Sequence, residues 1–274
     1  MKHSFVILAL ALFFAGCTPQ ATLPQTQTES PKTPSLTSAQ LNSYSYDALL
    51  HVATLLKENR KDIDAFDGFI SAMKVTVNNY SDMIKSSVYI SNIVRYIPLP
   101  YAGEVSNTTK LISKTALNLN GAADALDRYK KSSALFLEKF EKINATHANT
   151  ADLAALATFA DTQLLRDAHD LEIALEKISS STSMMAATTQ AISDALETTG
   201  DYLGNIKSFV GFNKETTLPS DKTKLTENKN SINAKITQLN QKINVLEHSA
   251  QNSARYIAKA RIYSDLSLEL THQF

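Results

Sequence analysis

The residues able to do chemistry are few and dispersed. Six histidines and one cysteine are scattered through 274 positions. His169 stands in Asp167-Ala168-His169-Asp170, which sets an imidazole beside carboxylates on a helix surface and supplies no second ligand at i+4. His51 and His248 are placed where two helices could bring them together, yet no Glu-x-x-His pair accompanies them to build a di-metal site in a bundle. A Gly-rich phosphate loop, a Gly-x-Ser-x-Gly elbow and a His-Glu-x-x-His pair are all absent from the sequence. One cysteine excludes an intrachain disulfide and a cysteine-cluster metal site. The expectation is a protein that is not an enzyme and uses neither cofactor nor metal.

The cysteine's position is informative. Lys2 and His3 precede an apolar run from Phe5 to Ala15, which ends in Phe14-Ala15-Gly16-Cys17. That run is well short of the roughly 20 residues a spanning helix needs, and it has the proportions of a secretory h-region. The arrangement resembles the lipobox signal of bacterial lipoproteins, with Phe14 standing where that family usually has leucine. The resemblance covers residues 1–17 and implies removal of a signal peptide, 1–16, and lipidation of Cys17. Acyl chains there would hold the protein on a membrane, since more than one chain suffices for stable anchoring. Residue +2 is Thr18 and not aspartate, which in enteric-type lipoproteins implies sorting to the outer membrane. The address is therefore the cell envelope.

Residues 17–37 are rich in Thr, Gln, Ser and Pro (Pro19, Pro24, Pro31 and Pro34) and have no apolar period. That composition predicts a disordered tether, with a coil span on the order of 25 Å.

Everything after the tether has the pattern of long helices. From Leu153 through Ala157, Ala160, Leu164, Ala168, Leu171, Leu175 and Ile178 to Val210, apolar or small residues recur at steps of four and three. This spacing predicts a heptad seam held without a slip, on a helix about 90 Å long. Such a helix cannot bury its seam alone. Three further seams supply partners, beginning at Leu41, Val105 and Leu225. The predicted fold is all-α: an elongated antiparallel bundle of about four coiled-coil-like helices, near 38–97, 101–145, 150–211 and 222–270, within a domain spanning 38–272. Thr37 and Ser38 are N-cap candidates, and polar Glu58 to Asp62 is a candidate break in the first helix. Pro98 and Pro100 stop that helix. Asn213 to Asp221, containing Pro219, is expected to be a loop. Ser179 to Thr189 predicts close helix approach, with hydroxyls bonded back to their own backbone.

The second helix is shorter than the third by roughly 15 residues, about 20 Å. That mismatch predicts a hairpin projecting at the end far from the tether, tipped by Phe209, Val210, Phe212 and Leu218, unless kinks absorb it.

Lys and Arg total 27, as do Asp and Glu, so the chain carries no net charge and no electrostatic footprint for nucleic acid. Two functions of different kinds fit. The first is a non-catalytic, lipid-anchored scaffold or adaptor that binds a protein partner. The second is a membrane-active protein, similar in architecture alone to the α-helical pore-forming toxins. The mature sequence offers no long apolar tongue for the second, and leakage of dye from liposomes separates the two.

Overall fold

A computed structural model describes residues 36–86, 108–143, 148–203 and 218–272, all within one compact unit, Leu36–Phe274. The signal peptide and tether expected from the sequence, with Cys17, lie outside the described residues up to residue 35, as do Phe209, Val210 and Phe212. The described chain is helical and contains no strand. Its elements are α1 (Ser38–Ser86), α2 (Thr108–Glu141), α3 (Thr150–Phe159), a π turn (Ala160–Leu164), α4 (Leu165–Leu203) and α5 (Leu218–His272).

Local chemistry sets the helix ends. At the start of α1, Thr37 Oγ1 accepts from the Gln40 backbone N–H at 3.3 Å. Gln40 Oε1 accepts in return from the Thr37 N–H at 2.9 Å. The Thr-x-x-Gln spacing is a reciprocal capping box that satisfies two otherwise orphaned donors. Asn149 caps α3: its backbone is extended, and its Oδ1 accepts from Ala151 N–H at 2.9 Å. Asn149→Ala should therefore lower stability by about 1 kcal/mol, readable as a shifted urea midpoint at unchanged slope.

Four expectations meet the structure as follows. First, the reading of one continuous first helix holds: α1 runs unbroken through the candidate break at Glu58 to Asp62. These residues contain neither glycine nor proline, and their polar groups face water or a neighbouring helix, so they interrupt the apolar pattern without interrupting the helix. Second, α2 ends at Glu141, not near 145. The chain tightens there through bonds from Lys142 N–H to Lys139 O and from Ile143 N–H to Phe140 O. Third, α5 begins at Leu218 and takes Pro219 into its first turn, where the missing N–H would have had no partner anyway. It also runs on to His272.

The fourth concerns the third rod and is a correction. Its seam does slip once. The steps Ala160 to Leu164 and Leu164 to Ala168 are two consecutive fours, and the first coincides with the π turn. There the Leu165 N–H reaches back five residues to the Ala160 carbonyl. A wider turn takes up the additional residue locally, where a continuous α-helix would have to unwind over a longer stretch.

The rods form an antiparallel ring. Lys57 meets Glu141 and Asp67 meets Lys130, pairing α1 with α2. Arg128 meets Asp170 and Asn118 meets Ser181, pairing α2 with α4. Ser179 with Asn240, and Thr158 with Arg261, pair the third rod with α5. Ser45 with Ser264 and Asn59 with Ser249 bring α5 back against α1. Each rod turns its heptad seam into a single shared core. Leu49, Val52, Met73, Leu119, Leu126, Phe136, Leu171, Leu175, Ile178 and Leu239 are fully or almost fully buried in it. At 49 residues, α1 alone is about 73 Å long.

Candidate functional site

Among the described residues His51, His169 and His248 do not come together. His51 is exposed and stacks on Tyr256, with centroids 4.6 Å apart. His248 instead lies 3.1 Å from Asn252 on its own helix. His169 stands on the surface with Nδ1 3.4 Å from Glu172. Among the described residues no group of three His, Cys, Asp or Glu side chains is placed to hold a metal ion. Of the residues predicted for the distal tip, Leu218 begins α5 and the other three lie outside the described residues.

What the fold does assemble is a polar seam between α1 and α5. Ser45 Oγ lies 2.6 Å from Ser264 Oγ and also donates to the Ala260 carbonyl at 3.1 Å. Asn59 Nδ2 donates to Ser249 Oγ at 2.7 Å, and Ser267 Oγ donates to the Ser38 carbonyl at 3.3 Å. Asn42 exchanges hydrogen bonds with Thr150 at 2.9 and 3.0 Å, tying α1 to the start of α3. Ser249, Ser253, Ser264 and Ser267 are all buried. They extend the seam of α5 beyond Leu246, whereas Ala250, the apolar residue four positions on, is only half-buried. The signal was present as spacing, since 253, 257, 260, 264 and 267 alternate fours and threes, but serine carries no apolar weight.

Buried hydroxyls leave no net gain unless paired. Ser45→Ala alone should thus cost about 1–3 kcal/mol, whereas Ser45→Ala with Ser264→Ala should cost less than the two single changes summed. A double-mutant cycle in urea reads that coupling.

A second polar feature lies beside the π turn. The Asp167 side chain is only 2% exposed. Its Oδ2 accepts from Gln163 Nε2 at 2.9 Å, Arg166 Nη2 donates to Gln163 Oε1 at 2.7 Å, and Arg166 Nε is 3.9 Å from Asp167 Oδ1. All three groups come from one stretch of helix. They form a clasp around the widened turn, with the carboxylate's charge answered locally.

Hydroxyls also line the core toward the other end. In Ser179 to Thr189 the expected back-bonding is present: Thr182 Oγ1 donates to the Ile178 carbonyl at 2.8 Å and Thr189 Oγ1 to the Met185 carbonyl at 2.7 Å. The Tyr80 hydroxyl is buried near Thr189 and has no well-formed hydrogen bond among the described residues. Burial pushes its phenol up to about 12, with Thr189 pulling weakly the other way. Tyr129 is pushed up to about 12 for the same reason, opposed by Ser133. Neither phenol ionises near neutral pH. Removing the unsatisfied hydroxyl by Tyr80→Phe should be neutral or stabilising by up to about 1 kcal/mol, measured as a raised urea midpoint.

The described surface carries shallow clefts. A cleft of about 230 Å³ between α1 and α2 is floored by Leu56, Ile63 and Leu137. Lys130 closes its rim, 2.6 Å from Asp67 and 3.2 Å from Asp64. These two carboxylates, Asp67 foremost, hold the ammonium above its ordinary pKa. The cleft's charges are thus paired with one another. No helix among the described residues is long and apolar enough to cross a membrane. The chain matches no family model, no curated protein and no solved structure.

Proposed function

We propose that the protein is a non-catalytic, lipid-anchored protein of the bacterial cell envelope, a helical scaffold or adaptor that holds a protein partner away from an outer-membrane surface. The observation carrying this reading is that the only cysteine in the chain closes the apolar N-terminal run. Long rods suit the role, because a bundle with a continuous core transmits position over tens of ångströms without a hinge. The polar seam between α1 and α5 is spent on helix–helix contacts, and Gln163, Arg166 and Asp167 on the clasp beside the π turn, which fits a structural duty.

Two measurements in the native cell test it. An alkyne-tagged fatty acid should label the protein, and mass analysis should place the acyl groups on Cys17 as the mature N-terminus. A photo-crosslinker at Phe212 should yield one discrete protein adduct, while the same probe at exposed Glu138 yields none. A ladder of self-adducts, or adducts to lipid, would favour the membrane-active alternative. Absence of acyl label would remove the anchor.

A further inference from the structure

The end of the bundle where the chain enters is unusually apolar on its outside. Nine large hydrophobic side chains are exposed among the described residues. Five of them (Leu36, Tyr44, Leu50, Ile262 and Leu266) fall within the first turns of the domain or the last turns of α5. That segment is about 20 Å of a rod of about 73 Å, so an even spread would put two or three there.

Most of this surface is ordered into a strip along α1 and α5. Tyr44 packs on Tyr263 with centroids 5.4 Å apart. One heptad further along each helix, His51 stacks on Tyr256 at 4.6 Å. On the outside of α5, Arg255, Lys259, Ile262 and Leu266 recur at four, three and four residues, so they stand in one exposed row. Tyr256 and Tyr263 border that row on the side of α1. Lys259 Nζ lies 5.5 Å above the Tyr256 ring. Tyrosines and long basic side chains flanking aliphatic ones are the composition that settles at the boundary between headgroups and acyl chains.

We infer that this strip rests on the lipid surface to which the protein is anchored, so that the bundle meets the bilayer through the tether-side end of its α1/α5 flank. The inference depends on the anchor reading above. Chain length makes it reachable: 20 residues lie between Cys17 and Ser38, and their composition predicts a coil of about 25 Å. Tyr44 is only about 9 Å along α1 from Ser38. The anchor also removes the need for strong intrinsic affinity, because a tethered surface meets its target at an effective concentration on the order of millimolar. Asp47 and Glu269 offset Arg255 and Lys259 at this end, so contact is carried by aromatic and aliphatic groups and depends weakly on salt.

The chain has no tryptophan, so a single introduced indole reports its own surroundings. Full-length, lipidated Tyr263→Trp protein is reconstituted into phosphatidylethanolamine/phosphatidylglycerol vesicles, with Val75→Trp as the control high on α1. The expected result for Tyr263→Trp is a blue shift of the indole emission. Its intensity should also fall with lipids brominated high on the acyl chain, within about 5–10 Å of the headgroup boundary. The Val75→Trp control should show neither. Adding Ile262→Ser and Leu266→Ser to the Tyr263→Trp protein should abolish the quenching while helicity is retained. Water-like emission from Tyr263→Trp, on a chain proven to carry lipid at Cys17, overturns this inference alone. A blue shift without bromolipid quenching overturns it too, because a protein surface would then cover the strip. A chain without lipid at Cys17 overturns the anchor reading and takes this inference with it.

Discussion

Phe136→Ala should destabilise the bundle by about 3–5 kcal/mol, a large share of the roughly 5–15 kcal/mol typical of a folded domain. Phe136 is fully buried on α2, where its ring lies 6.3 Å from Phe140 and nearly parallel to it. Phe140 in turn stacks on Tyr46 of α1 at 5.3 Å. Truncation removes the transfer free energy of the ring. It also leaves a void that two rods cannot close without moving their other seam residues, so collapse is only partial. Urea denaturation should show a lower midpoint with the slope retained. Leu117→Ala on the same helix is the control: Leu117 is 70% exposed, and its loss should be near neutral. A midpoint shift for Phe136→Ala as small as that of the control would mean the seam of α2 is not the core described.

On the anchor reading proposed above, Cys17→Ser should remove the protein from the carbonate-resistant membrane fraction. Serine is close to cysteine in size but lacks the thiol that the proposed thioether to diacylglycerol requires. Each buried methylene contributes about 0.8 kcal/mol to membrane residence, and one acyl chain alone gives only marginal binding. Losing the thioether-linked chains therefore shifts the balance to solution. The apolar run Phe5 to Ala15 is too short to replace them as a spanning segment. Fractionation is read together with incorporation of the fatty-acid label, so that an uncleaved leader lingering at the membrane is distinguished by mass. A Cys17→Ser protein that still takes up label would show that the lipid sits elsewhere.

Most of the fold is legible in the sequence because its signal is periodic. On α1 the predicted seam from Leu41 to Ile84 is buried at every position except Asn59, which is half-buried and bonded to Ser249. Along the third rod the seam from Leu153 to Ile192 is buried throughout. Even the π turn leaves a trace, as two consecutive fours in the spacing at Ala160, Leu164 and Ala168. That trace is ambiguous because a series of apolar positions does not say whether a helix drifts or widens. Glu58 to Asp62 are ambiguous in the opposite direction: polarity marks exposure, and exposure alone does not end a helix. Pro219 misleads because its effect depends on its place within the helix, being harmless in a first turn and disruptive later.

The serine seam of α5 is hidden for a different reason. A hydroxyl is buried only if a partner elsewhere accepts it, and Ser264 finds Ser45 across 219 positions of sequence. The sequence by itself determined the helical class, the antiparallel order and the placement of the sole cysteine at the end of the leader-like run, since these depend on local spacing. Only the tertiary structure decided that α5 closes the ring against α1, and that Tyr44, His51, Tyr256 and Tyr263 share one flank. Which faces meet depends on the register between rods far apart in the chain, and a helical period carries no record of its neighbour.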